Sequence, residues 1–313
     1  MKEALPRLDS NLNVYKSLLS FCRLKRGEIW EDPLRGHRVG VLDACSEQEI
    51  ALLMKDRRAV LAIQDPPYNI KVGNKNTEHL FRLDMKSYLE FSQKWVANTI
   101  AFLEKNSHLY IWLGADQNRG FQPLPDFMLM MRNFATLTSR SFITMRNQRG
   151  YGTQKNWMCA RQELLYYVKG SPDFNVCYTD IPKVLKGYYK VVNGRVTENL
   201  ERSKSDRIRP GNVWLDIQQV FYKMEENVPG AYAQKPLKAI LRIIETSSKR
   251  GELICDFFAH SGTTLIGAEL SERMAFVSDI DPVFAEITIR RLENFRQNGK
   301  TGWQCENPFP ELG

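Results

Sequence analysis

No run of the 313-residue chain approaches the ~18 consecutive apolar residues that a membrane span needs, and the opening MKEALPRLDS lacks the apolar stretch of a signal peptide. The expectation is a cytoplasmic protein with no membrane partner. Cysteine is sparse and unpatterned: Cys22, Cys45, Cys159, Cys177, Cys255 and Cys305 show no CxxC and no Cys-His spacing. That argues against a disulfide framework and against a zinc site, so the thiols read as reduced and structural and no metal is expected. Between 171 and 227 basic and polar residues are mixed in among the apolar ones, and that stretch would pack poorly by itself. Over the whole chain the 43% hydrophobic content is ample for a packed core, in one large domain or two. Positive charge is what the chain has in excess. A formal +8 and a pI near 9.1 suit a polyanionic partner, although charge alone is weak support for one.

The chain is organised around residues 61–70, LAIQDPPYNI, where an apolar run drops into an acid, two prolines and a tyrosine. Leu61 to Ile63 read as a short buried strand. Pro66 and Pro67 can neither continue a ladder nor enter a helix without strain, so they fix a rigid turn at the strand's end. Asp65 and Tyr68 are then held at the carboxyl edge of a sheet, where open α/β folds bind ligands. An exocyclic amine on adenine or cytosine is a poor nucleophile because its lone pair is delocalised into the ring. Asp65 and the Pro66 carbonyl can each accept one N–H and free that pair, while Tyr68 offers a face on which an extruded base stacks. An ordinary strand-to-loop corner is the alternative for D-P-P alone, and Tyr68 followed by Asn69 argues against it. The stretch resembles the catalytic (D/N/S)PPY motif of the DNA amino-methyltransferases, in which the Asp form is most often found in N6-adenine enzymes and the Ser form in N4-cytosine enzymes.

Before this motif, HRVGVLDA reads as a strand ending in Asp43, and CSEQEIALLM as a helix with Ser46 as N-cap and Glu49 three positions on. The resemblance makes Asp43, with Ala44, the contact to the cofactor's adenine; a turn Asp is the alternative. After Tyr68, the polar segment IKVGNKNTEHLFRLD suits a loop over a substrate cleft. Asp84 caps a helix with Tyr88, Phe91, Trp95 and Phe102 on one face, a stripe read as core, and HLYIWLGA is the next buried strand. A helix through FMLMMRN and a strand through SRSFITM lead to NQRGYGTQK, read as a flexible loop, and to the strand ELLYYV. Related enzymes often open that loop with Trp-x-Lys or Trp-Asn. Here Met145 or Arg146 stands at the Trp position, which leaves Arg146, Tyr151 and Trp157 as candidates for the second wall of the base pocket, with Lys155 beside them. Downstream, Lys183, Lys186, Lys190, Arg195, Arg202, Lys204, Arg207 and Arg209 are interleaved with Tyr188 and Tyr189, as phosphate contact and base readout require; a solvated loop is the other reading.

Leu237, Ile240, Leu241 and Ile244 share one helix face, with Gln234, Lys235 and Pro236 at that helix's start. Its free N–H groups and dipole end suit a carboxylate, and in the resembling enzymes a QKP helix borders the methionine part of the cofactor. In GELICDFFAHSGTTLIGAELSERMAFVSDID, Leu253 to Phe258 read as a strand, Ala259, His260, Ser261 and Gly262 as a tight turn, Thr263 to Leu270 as a helix, and Met274 to Ile280 as a strand. The turn brings backbone amides to the cofactor's carboxylate, Asp279 is placed to accept both ribose hydroxyls, Phe257 packs near the adenine or methionine, and Asp281 caps the next helix. The family usually reads D-x-F-x-G-S-G-T here. His260 replaces its first glycine, so either the backbone is ordinary at that point or cofactor affinity is reduced.

The motif order resembles the β class of DNA amino-methyltransferases of restriction-modification systems, across roughly residues 37–297. The resemblance implies an α/β fold: a circularly permuted Rossmann-like S-adenosylmethionine-dependent methyltransferase sheet, with helices on both faces and a basic target-recognition insert. The expected divisions are an N-terminal arm (1–36), which is a partial helix or is laid on DNA or a second subunit; a catalytic half (37–170); a recognition region (171–227); a cofactor half (228–297); and a tail (298–313) that packs on a neighbour. The expected activity is transfer of a methyl group from S-adenosyl-L-methionine to adenine N6 in double-stranded DNA. An N4-cytosine enzyme and a non-catalytic DNA-binding subunit are the rivals. A cognate restriction endonuclease and a second copy of the chain are the further partners the resemblance admits.

Overall fold

The computed structural model describes residues 5–8, 11–68, 84–114, 122–151, 157, 159–183, 189–198, 205–220, 223–231 and 233–312. Nine strands form one sheet: β1 (Ile29–Glu31), β2 (Arg38–Val41), β3 (Ala59–Gln64), β4 (Leu103–Leu113), β5 (Leu137–Tyr151), β6 (Cys159–Lys169), β9 (Val213–Trp214), β10 (Leu253–Asp256) and β11 (Met274–Asp279). Between β6 and β9 in sequence, β7 (Tyr189–Val192) and β8 (Arg195–Glu198) form a two-stranded ribbon of their own. The helices are α1 (Leu12–Leu18), α2 (Glu47–Met54), α3 (Met85–Ala101), α4 (Pro123–Met131), α5 (Leu237–Ser247), α6 (Thr263–Leu270) and α7 (Pro282–Asn298).

The spatial order is β1-β2-β11-β10-β3-β4-β6-β5-β9. From β2 to β4 the neighbours run parallel, β6 is antiparallel to both β4 and β5, and β1 is antiparallel to β2. β10, late in the chain, therefore lies centrally, against β3. That places the two strands bearing the sequence motifs side by side with their carboxyl ends at one edge, in register through Ile254 opposite Leu61 and Cys255 opposite Ala62. Strand alternation splits the core in two. Leu61 and Ile63 face a cluster with Ile240, Ile243, Leu265, Ile266, Ile289 and Leu292, whereas Ala62, and Ala59 beyond the register shift between Ala59 and Leu61, face one with Ile50, Leu53, Tyr88, Trp95, Phe127 and Met131. Helices α5, α6 and α7 thus cover one face and α2, α3 and α4 the other.

Local signals hold where a side chain fixes the backbone. Ser46 Oγ accepts from Glu49 N at 3.4 Å, Asp84 Oδ1 from Ser87 N at 3.0 Å, and Asp281 Oδ1 from Val283 N at 2.8 Å. Several boundaries differ from the sequence reading. β2 ends at Val41, two residues before Asp43; Phe102 follows α3; α4 begins at Pro123; and β10 ends at Asp256, leaving both Phe257 and Phe258 in the bend. The stretch read as a loop from Asn147 is strand as far as Tyr151, since β5 and β6 continue past Leu113 with Arg146 opposite Arg161 and Tyr151 opposite Cys159. The loop expected after Tyr68 and residue Lys155 lie outside the described residues.

The arm holds a helix, α1 (Leu12–Leu18), one of the alternatives its sequence leaves open. Leu5, Leu8 and Leu18 bury against Val283 and Ile287 of α7 together with Trp303 and Phe309 of the tail, and β1 extends the sheet. Both termini pack on their own chain because each carries apolar residues that α7 can cover. Among the described residues no helix is long and apolar enough to cross a membrane.

Candidate active site

A cleft opens at the carboxyl ends of β3, β4 and β10. It is lined by Ile63, Asp65, Trp112, Lys235, Ile240, Asp256, Phe258, Ala259, His260, Ser261, Thr263 and Thr264. The DPPY corner and the Ser-Gly bend, nearly two hundred residues apart in the chain, therefore share one wall-to-wall space.

Asp65 is held from two sides. Lys235 Nζ lies 2.6 Å from Oδ2, and the Tyr68 hydroxyl donates to Oδ1 at 2.7 Å. The Lys235 ammonium is nearly buried and sits 5.2 Å from the Tyr68 ring centroid and 5.4 Å from that of Trp112, so a carboxylate and two aromatic faces solvate the charge that water does not. Burial, with the Asp65 charge beside it, raises the Tyr68 phenol well above its ordinary value and keeps it a donor. Pro66 is buried and Pro67 exposed, which leaves the corner rigid on its inner side and open on its outer. One step back, Gln64 Oε1 accepts from Phe257 N at 2.9 Å, tying the two motif strands together beneath the cleft.

The bend is equally determined. Asp256 accepts from Phe258 N at 2.9 Å and from the Thr264 hydroxyl at 2.6 Å; Asp279 accepts from His260 N and from Asp281 N, each at 2.9 Å. Burial pushes both carboxyls up to about 7, with Asp65 and Asp279 adding to the effect on Asp256, and Asp281 to that on Asp279. His260 has φ +46°, so the backbone keeps the left-handed geometry a glycine would hold. Its ring lies 4.3 Å from that of Phe284, and its carbonyl accepts from Thr288 Oγ1 at 3.1 Å. The departure from glycine leaves the bend formed, and neighbouring contacts carry the strain. Gly262 has no such latitude: with φ +75°, a Cβ would stand 2.9 Å from Thr288 Oγ1 and 3.0 Å from its Cα. Arg291, fully buried, donates from Nη1 to the Ser261 carbonyl at 2.8 Å and to Thr263 Oγ1 at 3.0 Å, from Nε to the Thr301 carbonyl and from Nη2 to that of Glu226. Burial pulls its guanidinium down to about 10.

Some predicted residues stand elsewhere. Phe257 is buried in the core, and Phe258 takes the cleft position, meeting Trp95 edge-on at 5.4 Å. Gln234 turns to the loop before it, donating to the Glu226 carbonyl and accepting from Val228 N. Pro236 is the N-cap of α5, and the Leu237 N–H expected to be free is taken by the Glu226 carboxylate at 2.6 Å. A carboxylate does meet that helix end, and it is the chain's own. Asp43 forms a local turn, accepting from Cys45 N at 2.8 Å with Arg26 at 3.6 Å, and the Ala44 carbonyl accepts from Asn98. Both stay at the cleft's sheet edge, because Leu42 N donates to the Asp279 carbonyl.

Among the residues expected on DNA, Arg146 is exposed on the β5–β6 hairpin beyond the sheet edge and Tyr151 ends β5. Trp157, on the same hairpin, is 93% exposed. Lys190 and Arg195 fall in the β7–β8 ribbon, Arg209 is exposed, and Arg207 spends its guanidinium on the Asp180 carbonyl at 2.6 Å. Lys186, Arg202 and Lys204 lie outside the described residues. Missed from sequence were Trp112, Asp256, Phe258 and Thr264. Trp112 reads as strand core, and only its place one residue before the strand's end marks it as a lining residue. Its indole N–H is buried with no hydrogen-bond partner among the described residues.

Residues 60–290 match the family model described as DNA methylase, for the N6 and N4 amino-methyltransferases. The chain is 26% identical over 251 residues to the type II methyltransferase M.HpaI of Haemophilus parainfluenzae, covering 80% of this chain and 73% of that protein. It is 26% identical over 243 residues to the DNA adenine methyltransferase YhdJ of Escherichia coli, covering 74% and 76%. The solved complex of M1.HpyAVI with S-adenosylmethionine shares the fold, with TM-score 0.52 at 15% identity over 81% of this chain and 98% of that one.

Proposed function

The chain belongs to the N6/N4 DNA methylase family, and from that membership we propose that it methylates the N6 amine of an adenine turned out of duplex DNA, at the Asp65 end of the cleft. The observation that carries this reading is the convergence of Asp65 and the Ser261 to Thr264 bend on one cleft. The methyl donor is S-adenosylmethionine, which supplies an electrophilic methyl group on a sulfonium. The residues present fit that molecule: the Asp256 carboxylate in the cleft suits its cationic groups, Phe258 offers an apolar face, and Asp279, which accepts from His260 N, stands behind the bend as an acceptor for hydroxyl groups.

In this reading Asp65 accepts one amine N–H through a lone pair that Lys235 and Tyr68 leave over, since each carboxylate oxygen can accept twice. The Pro66 carbonyl accepts the other. Both bonds draw the nitrogen toward tetrahedral geometry, and the Tyr68 face takes up the ring. Lys235 orients the carboxylate. Alignment of two bound reactants is the main source of acceleration in such a transfer, on the order of 7–11 kcal/mol. Arg146, Tyr151 or Trp157 on the overhanging hairpin supply the second wall, and the basic segment around Lys190, Arg195 and Arg209 contacts the duplex. Within a restriction-modification system, the methylated site is the one a cognate endonuclease spares.

The test is to expose duplex DNA to the protein and S-adenosylmethionine, digest it to nucleosides and analyse their masses. N6-methyldeoxyadenosine is expected. N4-methyldeoxycytidine would overturn the base assignment, and absence of any methylated nucleoside would overturn catalysis itself.

A further inference from the structure

Residues 183–209 hold eight basic residues against three acidic ones, and within them β7 and β8 form a hairpin that, among the described residues, belongs to no larger sheet. Its turn is Asn193-Gly194 with φ +53° and +75°, the type I′ geometry that a tight two-residue hairpin demands. Strands of four residues in such isolation are marginal in water, and Val191, Val192 and Val196 are exposed, two of them by 66%. Valines at those positions contribute nothing to the core of this chain.

The ribbon's place follows from its stem. Asn175 N donates to the Thr246 carbonyl near the end of α5, and Asp180 pairs with Lys238 near its start at 2.9 Å, so the segment climbs α5 toward Lys235 and the cleft. There Thr179, Ile181 and Lys183 exchange backbone hydrogen bonds with Asp206 and Ile208, gathering both ends of the excursion into one stem. Lys190 opposite Thr197 and Val192 opposite Arg195 put those four positions on one face of the ribbon.

Resting on the DNA-methylating reading above, we infer that the β7–β8 ribbon enters the major groove beside the target base, with Arg195 reading a purine edge and Val192, on the same face, contacting a thymine methyl. The major groove admits a two-stranded ribbon, and a bidentate arginine on a guanine edge is its commonest specific contact. The minor groove is half as wide. Net positive charge brings the segment to the duplex, and the apolar methyls then find cover that the protein does not give them.

The experiment first maps the methylated sequence by treating DNA with wild-type protein and reading it. Duplexes carrying that sequence are then made with 7-deazapurines at single non-target purines, which removes the major-groove N7, or with inosine for guanine, which removes the minor-groove amine. For wild type, one 7-deaza position should lower kcat/KM about ten-fold or more, within the range a bidentate contact provides. Arg195→Ala should lose sensitivity at that same position and accept other bases there, with S-adenosylmethionine affinity by calorimetry unchanged. Sensitivity to inosine alone, or an Arg195→Ala protein that keeps the wild-type sequence and rate, would overturn the ribbon assignment and leave the enzymatic reading standing. No methylation by wild type would overturn both.

Discussion

Asp65 has two partners before any base reaches it, and that makes its chemistry separable from its packing. Asp65→Asn keeps the shape, removes the negative charge and leaves the Lys235 ammonium without its counterion. A fall in kcat of about 10²–10⁴-fold, the range for a group engaged with the reacting proton, is expected with S-adenosylmethionine still bound; single-turnover kinetics beside calorimetry would show it, and a near wild-type rate would remove Asp65 from the mechanism. Gly262→Ala acts differently, since its Cβ meets Thr288 backbone and the φ is positive. It should cost about 1–3 kcal/mol by urea denaturation and weaken the cofactor together with stability. Asp256 and Asp279 supply a pH dependence. Their folded values near 7 lie above the ordinary carboxylate range. The stability they contribute is thus fully present below about pH 4 and is lost as pH rises through about 7. A cation beside them has the opposite preference: through its sulfonium S-adenosylmethionine should gain more affinity as pH rises from about 6 to 8 than its thioether product, which keeps only the ammonium. Equal responses of the two ligands in calorimetry would refute the pairing.

Between residues and the whole lie the elements whose ends build the cleft, and here the sequence was legible unevenly. Strand β3, the capped helices α2, α3 and α7, and the unit from β10 to β11 are written locally, because an N-cap oxygen or an apolar alternation acts within a few positions. The switch from Phe257 to Phe258 is a boundary effect: β10 stops at Asp256, and one residue of strand reverses which ring faces in. The Asp65–Lys235 pair spans 170 residues, and its distance depends on strand order that no local pattern encodes. Arg291 was invisible for the same reason. It joins the Ser261–Thr263 bend, the lead-in to α5 and the tail through four acceptors, none of them a carboxylate. Replacing it with Met would leave buried carbonyls unpaired at about 1–3 kcal/mol each for the ones water cannot reach. Arg291→Met should therefore lower stability by roughly 3 kcal/mol, and native-state hydrogen exchange should quicken in the 299–312 tail before the sheet. Uniform protection across tail and sheet would show that the arginine does not link them.

Over the whole molecule the charge is distributed so that one edge of the sheet can meet a polyanion. Much of the basic surface is already spent: Arg23 on Glu286 and Glu293, Arg296 on Asp32 and Glu269, Arg290 on Glu286 and Glu311. At the edge away from the cleft, Lys249 pairs with Asp173 and Arg250 with Glu272. By contrast, Arg146, Arg195 and Arg209 are exposed, on the overhanging hairpin, the ribbon and the strand of the stem that returns to β9. Net charge would treat all these residues alike, but a duplex can touch only one edge at a time. Removing a cation that neutralises one phosphate should lower the slope of log affinity against log salt by about 0.9. Arg146→Ala and Arg209→Ala should each flatten that slope by about one, measured by fluorescence anisotropy of a labelled duplex across a salt series, while Arg250→Ala leaves it unchanged. If Arg250→Ala flattened the slope as much as the other two, the protein would be holding DNA by its overall charge, and the cleft edge would have no privileged part in binding.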